Sequence, residues 1–275
     1  MYAESPEFER LVAGNDRVDL ARSSLEIARD ADPNLDIESY LARIADLADR
    51  TRSRLPRHAP PRRALAQIHW VLYVEEGFKG ADTDYYDYRN CYLNQLIDRR
   101  VGMPITLCIL FKAVADQLGI ETAGVNFPSR FMLRTGSDNN LMFIDAFESG
   151  VPLDRDECRK RLESLIGSPI VLDDRLIAPC SHATIILRVL TNLKLIYVNR
   201  GDYASALPIL ERIARLVPEI PEAHRDLGIA YFQLGRYGAA IDPIDRYLKA
   251  NPQSEGNEPL KEFLHVAWAK TAQDN

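Results

Sequence analysis

Apolar positions in the first sixty residues recur at intervals of three and four, which is the spacing of an amphipathic helix. One stripe ends before Pro33 and consists of Val18, Leu20, Ala21, Leu25 and Ala28. A second stripe consists of Ile37, Leu41, Ile44, Leu47 and Ala48. Asp36 precedes the second stripe, where a carboxylate can cap a helix start. The pattern predicts two helices and then a connector over 52–65, rich in proline and arginine.

A longer apolar run at 104–118 is followed by Gly119. Proline suits the first position of a helix and glycine the position after its end, so Pro104 and Gly119 predict the two limits. Polar and apolar residues then alternate over 131–135 and 141–145, with the turn signal "GSDNN" between them. Helices leading into a small antiparallel sheet predict an α+β fold.

From about residue 183 the chain repeats itself with a period of 34 residues. The matching pairs are Tyr197 and Tyr231, Gly201 and Gly235, Tyr203 and Tyr237, Ala206 and Ala240, and Pro218 and Pro252. This pattern resembles a pair of tetratricopeptide repeats, each made of two helices. Two repeats alone leave apolar faces open, so 257–270 is predicted to be a capping helix. Lys194 stands where the second unit has Gly228, so the first unit should pack less regularly, against the preceding part.

Composition limits the classes of function. Apolar residues make up 46% and charged residues 27% of the chain, as in an ordinary soluble protein. The net charge of -6 argues against a nucleic-acid partner. The longest apolar stretches are broken by charges such as Lys112 and Lys194, so no membrane span or membrane partner is predicted. The start of the chain lacks a secretory signal pattern. Scattered cysteines fit a reducing, cytoplasmic location; they are Cys91, Cys108, Cys158 and Cys180.

Metal and cofactor motifs find no support in the sequence. A calcium loop beginning at Asp82 would need a glycine and a glutamate where Asp87 and Leu93 stand. A turn whose carboxylates accept backbone N–H bonds is the alternative. The five histidines form no close-spaced ligand set, and the chain has no P-loop, GxGxxG or GxSxG motif. We therefore expect neither a metal nor a cofactor.

Cys108, inside the apolar run, is the candidate nucleophile. A reactive thiol is best placed at a helix start and needs a histidine base. Cys108 lies one turn into the predicted helix, and no histidine occurs between His69 and His182. We therefore predict that Cys108 is a buried core thiol, with a reactive thiol as the alternative.

Three stretches resemble one known family: "YYDYRNCYLNQLIDRRVGMPITLCILFKAVADQLGI", "GVNFPSRFMLR" and "FIDAFESG". They are similar to the bacterial SirB/YchA-type transglutaminase-like family. The resemblance extends from about residue 8 to 255. It implies a helical N-terminal segment, a transglutaminase-like (papain-like) core and a tetratricopeptide tail, with no enzymatic activity to carry over. We expect these parts at 1–60, 61–182 and 183–275.

The resemblance also implies where a catalytic triad would stand. Counting back from Gly119 places the cysteine position at Pro104, and the histidine of the family's Gly-His-Phe is replaced by Arg130. The third position is retained as Asp145 in "FIDAF". Proline has no ionisable group and arginine cannot act as a base near neutral pH, so this triad would be degenerate. Arg130 and Asp145 are predicted to form an ion pair across the hairpin.

The sequence therefore favours a non-catalytic protein that binds a protein or peptide in the groove of its repeats. The predicted groove positions mix polar and apolar groups and are Arg188, Thr191, Leu195, Val198, Asn199, Glu222, Arg225, Ile229, Phe232 and Gln233. Alternatively, so short an array only packs on the core. Two further alternatives are a thiol protease or amidase that uses Cys108, and binding of a peptide or small molecule in the degenerate cleft.

Overall fold

The computed structural model describes residues 2–127, 130–137 and 140–273 and has a helix-rich α+β fold. The α-helices that precede the repeats are α1 (Pro6–Val12), α2 (Leu20–Ala28), α3 (Ile37–Ser53), α4 (Pro61–His69), α5 (Leu93–Arg99), α6 (Pro104–Gln117) and α7 (Arg155–Ile166). A π-helical turn over Trp70–Glu75 continues α4, and a 3₁₀ turn over Tyr88–Asn90 precedes α5. The strands are β1 (Lys79–Gly80), β2 (Val101–Gly102), β3 (Ala123–Asn126), β4 (Phe131–Thr135), β5 (Met142–Ile144) and β6 (Pro152–Leu153). The repeat helices are α8 (His182–Asn199), α9 (Tyr203–Leu216), α10 (Pro221–Gln233), α11 (Tyr237–Ala250) and α12 (Asn257–Gln273).

Both predicted N-terminal helices form, as α2 and α3. The Asp36 carboxylate accepts a hydrogen bond from the Ser39 backbone N–H at 3.2 Å, which confirms the predicted cap of α3. The predicted connector is too long, because Pro61 already begins α4 and its first turn contains Arg62 and Arg63. Proline is compatible with that first helical position, since the N–H it lacks has no partner within the helix.

The sheet has the antiparallel order β3-β4-β5-β6. Leu133 of β4 pairs with Gly124 of β3 on one side and with Ile144 of β5 on the other, which confirms the predicted hairpin. Strand β5 ends at Ile144, one residue earlier than predicted, and Asp138 and Asn139 of the predicted turn lie outside the described residues. β1 and β2 form a separate parallel pair.

Helix α6 runs through the core. It begins at Pro104 and is followed by Gly119 with φ of +74°, a left-handed conformation that glycine adopts without steric cost. All residues over 104–112 are buried, including Lys112, whose ammonium donates to the Thr122 carbonyl at 2.8 Å. The side of α6 that carries Cys108 faces β4.

The repeat helices continue from this core, and α8 belongs to both parts. The Tyr197 hydroxyl of α8 is 3.1 Å from that of Tyr92, and the Asn192 amide of α8 contacts the sulfur of Met103 at 3.5 Å. These contacts confirm that the first repeat packs against the preceding part. Its Lys194 reaches α10, where its ammonium lies 2.9 Å from the Asp226 carboxylate.

Helices α10 and α11 of the second repeat contact each other more extensively than α8 and α9 of the first. A Cβ added at Gly228 of α10 would lie 2.5 Å from the Ile244 side chain of α11. Helix α12 follows as the predicted cap, and its Phe263 ring stacks on Phe232 with centroids 4.2 Å apart. Phe232 therefore contacts the capping helix.

Candidate functional site

Asp145 lies directly after β5, where the chain turns. Its carboxylate accepts hydrogen bonds from the backbone N–H groups of Phe147 at 3.2 Å and Glu148 at 3.4 Å, and so caps a 3₁₀ turn over Ala146–Glu148. The side chain is 2% exposed. Burial raises the pKa of Asp145 above its ordinary value, and the nearby Arg130 opposes this without cancelling it.

Arg130, directly before β4, forms the predicted ion pair with Asp145. Its Nη1 lies 3.6 Å from Oδ1 of Asp145, and its side chain is 9% exposed. The guanidinium also lies over the Phe147 ring at 4.4 Å, and Nη2 is 3.9 Å from the Glu148 carboxylate. Within the described ranges, neither Nη1 of Arg130 nor Oδ2 of Asp145 has a hydrogen-bond partner. The attraction between them is therefore Coulombic, without a hydrogen bond.

Pro104, the third member of the predicted degenerate triad, is the buried first residue of α6. Helix α6 packs against both β4 and the turn over 146–148. The site residues are thus carried by one helix and one hairpin. A proline side chain offers this site neither a nucleophile nor a hydrogen-bonding group.

Cys108 is a buried core thiol, as predicted, with no exposed surface. Its sulfur lies 3.6 Å from the Phe131 carbonyl oxygen. Burial raises its pKa well above the ordinary value and the charge of Asp145 adds to this, whereas the Ala146 N–H and Arg130 act in the opposite direction. The sequence was not expected to bring Cys108 close to Asp145. Residues four apart share a helix face, so the spacing from Pro104 could have indicated it.

Tyr73 and His69 lie beside this cluster. The hydroxyl of the half-buried Tyr73 donates to the Ala146 carbonyl at 2.7 Å, and desolvation raises the Tyr73 pKa well above its ordinary value. The ring of His69 stacks on that of Tyr73 with centroids 5.7 Å apart. Nδ1 of His69 is 2.6 Å from the Ser149 carbonyl oxygen, an acceptor, so Nδ1 carries the proton. His69 is thus held by the backbone of the turn.

The other cysteines are also poorly placed for nucleophilic chemistry. Cys91 is 2% exposed, and its sulfur lies 3.2 Å from that of Met103. Burial raises the pKa of Cys158 to about 12 and that of Cys180 to about 11. A thiolate, the reactive form, is therefore scarce at neutral pH at each of these positions.

The structure brings half of the predicted groove positions together. A cavity of about 250 Å³ lies between α8 and α10. The predicted positions that line it are Leu195, Val198, Asn199, Arg225 and Ile229. Lys194, Tyr203 and Asp226 complete its wall. The Leu195 side chain is 45% exposed although it is apolar.

The remaining predicted groove positions lie outside this cavity. Glu222 and Gln233 are exposed on α10, and Thr191 is exposed on α8, where its hydroxyl donates to the Leu187 carbonyl at 2.7 Å. Arg188 is half-buried on α8. Burial raises the pKa of the nearby Tyr85, and the charges of Arg130 and Arg188 oppose this rise without cancelling it. Phe232 packs on Phe263, as described above.

The turn over 82–90 contains a carboxylate that accepts a backbone N–H, as the alternative to a calcium loop predicts. The Asp87 carboxylate accepts the Arg89 backbone N–H at 2.9 Å and pairs with the Arg89 guanidinium, which lowers the pKa of Asp87. Among the residues described, no group of three His, Cys, Asp or Glu side chains is placed to hold a metal ion. Over the same residues, no helix combines the length and apolarity needed to cross a membrane.

Comparisons with known proteins agree with this architecture. The family described as "Transglutaminase-like superfamily" matches residues 38–191, and the tetratricopeptide repeat family matches residues 193–265. A UPF0162 protein of Xylella fastidiosa (strain 9a5c) is 36% identical over 249 residues, covering 89% of this chain and 88% of that protein. A UPF0162 protein of Vibrio cholerae is 25% identical over 250 residues, 90% of this chain and 91% of that protein. F-box only protein 21 of Mus musculus is 40% identical over 114 residues, 38% of this chain and 18% of that protein.

The fold, the site and the family matches together define a transglutaminase-like domain followed by tetratricopeptide helices. The chain belongs to the transglutaminase-like superfamily, among the UPF0162 proteins. Membership in this class supports a role in protein interaction, because tetratricopeptide repeats present concave binding surfaces.

Proposed function

We propose that this protein binds a protein or peptide partner in the groove between α8 and α10 and does not act as a thiol enzyme. The observation that carries the proposal is the cavity of about 250 Å³ at which Leu195 of the first repeat meets Ile229 of the second. Leu195 is 45% exposed and lines this cavity, so it offers apolar area to a partner.

Charged groups at the edge of the groove are held in place. Asp226 pairs with Lys194 at 2.9 Å and with the Arg225 guanidinium at 2.7 Å. Arg225 also lies over the Tyr247 ring at 5.6 Å. A fixed polar rim around an apolar centre is the arrangement found at protein interfaces. One side of α8 packs on the core while the groove side stays open, which favours binding over the alternative that the array only packs.

The proposal that thiol catalysis is absent rests on the site residues. Pro104 and Arg130 stand at the positions implied for the cysteine and the histidine, and Arg130 is engaged with Asp145. Cys108 has no exposed surface, and burial and the charge of Asp145 both raise its pKa. A thiol in such surroundings is protonated and closed to a substrate.

The proposal extends to the setting in which the protein works. We place its parts at 1–60, 61–182 and 183–275, and its location in the cytoplasm, where cysteines such as Cys180 stay reduced. The partner is a polypeptide, and neither nucleic acid nor a membrane is involved. A chain with a net charge of -6 repels the phosphates of both.

The test is partner capture by the full chain and by Leu195→Glu/Ile229→Glu. Both substitutions place charge in the apolar centre of the groove, so capture from a lysate of the source cells should fall at least ~10-fold. Ile220→Glu is the matched control, because Ile220 is 43% exposed but lies in the turn before α10, outside the cavity. Its capture should equal that of the unmodified chain.

Unchanged capture by the groove variant, with its melting temperature preserved, would contradict the proposal. Point variants are preferable to deleting the repeats. Deletion would remove α8 and expose the core residues beneath it, including Tyr92 and Met103. Loss of binding by such a truncated chain could then reflect misfolding.

A further inference from the structure

One face of α8 continues from the groove cavity toward the start of that helix. Four positions share this face, because each is three or four residues from the next: Arg188, Thr191, Leu195 and Asn199. The last three side chains are exposed, and the first is half-buried. Of the four, Leu195 and Asn199 line the cavity between α8 and α10. The other two extend the open surface beyond that cavity.

This α8 face lies between two walls. On one side, Lys194 reaches α10 and pairs with Asp226 at 2.9 Å. On the other side, the Asn192 amide contacts the Met103 sulfur of the core at 3.5 Å. Successive residues of an α-helix are turned by about 100° around its axis, so Leu195 points between the direction of Lys194 and that of Asn192. The α8 face is therefore the floor of a groove that has α10 on one side and the core on the other.

The turn over 82–90 belongs to the core wall of this groove and carries exposed aromatic rings. Tyr85 is 38% exposed and Tyr86 is 63% exposed, and their rings meet edge to face with centroids 5.2 Å apart. Arg200, directly after α8, donates to the Tyr86 backbone carbonyl at 3.1 Å and ties the turn to the helix. Tyrosine is enriched at protein interfaces, so this wall offers suitable contact area to a partner.

Arg188 brings a cation without a partner to the α8 face. Among the described residues, no carboxylate pairs with its guanidinium and no acceptor takes a hydrogen bond from it. The ionic charges that act on the nearby Tyr85 come from Arg130 and Arg188, and both oppose the rise in the Tyr85 pKa that burial causes. Arg130 is already engaged with Asp145 at 3.6 Å. Arg188 is thus the guanidinium of this pair that remains available.

The other charged groups of the groove do not offset Arg188. Lys194 and Arg225 both pair with Asp226. The acidic side chains at the edges of this surface are exposed, and they are Asp82, Asp84 and Glu222. Water screens the charge of an exposed carboxylate more effectively than that of a half-buried guanidinium. A partner with a carboxylate at the right place would therefore gain a charge-assisted hydrogen bond.

We propose that the partner of this groove is a polypeptide segment that places an acidic side chain on Arg188 and an apolar side chain in the cavity between Leu195 and Ile229. This inference rests on the proposed function and adds the chemistry of the partner. Tyr85 and Tyr86 cover the segment beside its carboxylate. Arg188 and Leu195 are seven positions apart, about 10 Å along the helix axis, which about three residues of an extended peptide span.

The test begins with selection of phage-displayed random dodecapeptides on the full chain. Peptides that no longer bind Leu195→Glu/Ile229→Glu are the groove ligands. We expect them to carry an aspartate or glutamate about three residues from a large apolar residue. Calorimetry then compares each such peptide with a counterpart in which the acidic residue is replaced by its amide. The amide counterpart should bind at least ~10-fold more weakly, and the affinity of the acidic peptide should fall with increasing salt.

Variants of the arginine locate the carboxylate. Arg188→Gln should weaken the acidic peptide at least ~10-fold and change the affinity of the amide counterpart less than ~2-fold, because only the acidic peptide loses a charge pair. Arg188→Lys keeps the charge and should retain most of the preference for the acidic peptide. Arg63→Gln is the matched control, because Arg63 is exposed on α4, outside this groove. It should leave both affinities unchanged.

The outcomes separate this inference from the function on which it rests. Groove ligands without an acidic residue, or equal effects of Arg188→Gln on the acidic and amide peptides, would overturn the inference and leave the proposed function standing. Failure to obtain any peptide whose binding depends on Leu195 and Ile229 would contradict both.

Discussion

Arg212 and Asp30 form an ion pair that is closed to solvent on both sides. The Nε and Nη2 atoms of Arg212 lie 2.6 and 2.9 Å from the two carboxylate oxygens of Asp30. The two residues are separated by 182 positions in the chain. The pair therefore ties the first repeat to the start of the chain, because Asp30 also accepts the Ala3 backbone N–H at 2.8 Å.

Arg212→Met should destabilise the protein strongly. The substitution keeps an apolar side chain of similar length but leaves the Asp30 carboxylate buried without its cation, which typically costs about 3–5 kcal/mol. Urea unfolding of the variant and of the unmodified chain measures the difference. Arg215→Met is the control, since Arg215 and its partner Glu9 are 51% and 42% exposed, and should cost at most about 1 kcal/mol. Equal effects of the two substitutions would contradict the role of burial.

Gly228→Ala should cost about 1–3 kcal/mol, because the added methyl group overpacks the contact between α10 and α11. Its Cβ would lie 2.5 Å from the Ile244 side chain and 3.1 Å from the Ile244 backbone nitrogen. Gly238→Ala offers a matched control on α11, where the nearest atoms are 3.8 Å away on Thr271. That change should stabilise by up to about 1 kcal/mol through helix propensity. Thermal unfolding of both variants shows whether each change stabilises or destabilises the protein. A stabilising Gly228→Ala would contradict the close contact between α10 and α11.

Asp145→Asn should become more stable relative to the unmodified chain as the pH rises. The folded-state pKa of Asp145 is raised, so the native state binds this proton more tightly than the unfolded state does. The stability that the group contributes is fully present below its ordinary pKa of 3.8 and is lost as the pH rises through the raised value. Urea unfolding at pH 4 and pH 7 measures the change. Asp174→Asn, at an exposed position, is the control. If the stability of Asp145→Asn instead falls relative to the unmodified chain as the pH rises, the attraction of Arg130 outweighs the effect of burial on Asp145.

Cys108 should resist alkylation in the folded protein. It has no exposed surface and a pKa well above the ordinary value, so iodoacetamide at pH 8 should modify it at least ~100-fold more slowly than in urea. The half-buried Cys180, with a pKa of about 11, should react before Cys108. Peptide mass spectrometry resolves each site. Rapid labelling of Cys108 near pH 7 would instead favour the thiol-enzyme alternative.

The features that local chemistry determines were predictable. The Asp36 cap, the limits of α6 at Pro104 and Gly119, and the hairpin of β4 and β5 follow from short-range preferences. The repeat helices follow from the 34-residue period. The Arg130–Asp145 pair followed from the family resemblance combined with the expectation that the two residues face each other across the hairpin.

Features that depend on distant parts of the chain were not predictable. Nothing near Asp30 or Arg212 indicates that the two residues meet, because the contact arises only when α9 packs against the N-terminal segment. Cys108 lies between these two cases. The spacing from Pro104 indicates which face of α6 carries Cys108, but its proximity to Asp145 depends on the tertiary structure.

The dual role of α8 has a consequence for domain exchange. Tyr197 and Asn192 of α8 contact the core, while Leu195 of the same helix lines the groove. A chimera joined after residue 200 would graft a groove with only one of its two walls. A chimera joined before His182 would transfer α8 without the core residues that it contacts in this protein. The repeats therefore cannot be exchanged intact unless the core surface that contacts α8 is exchanged with them.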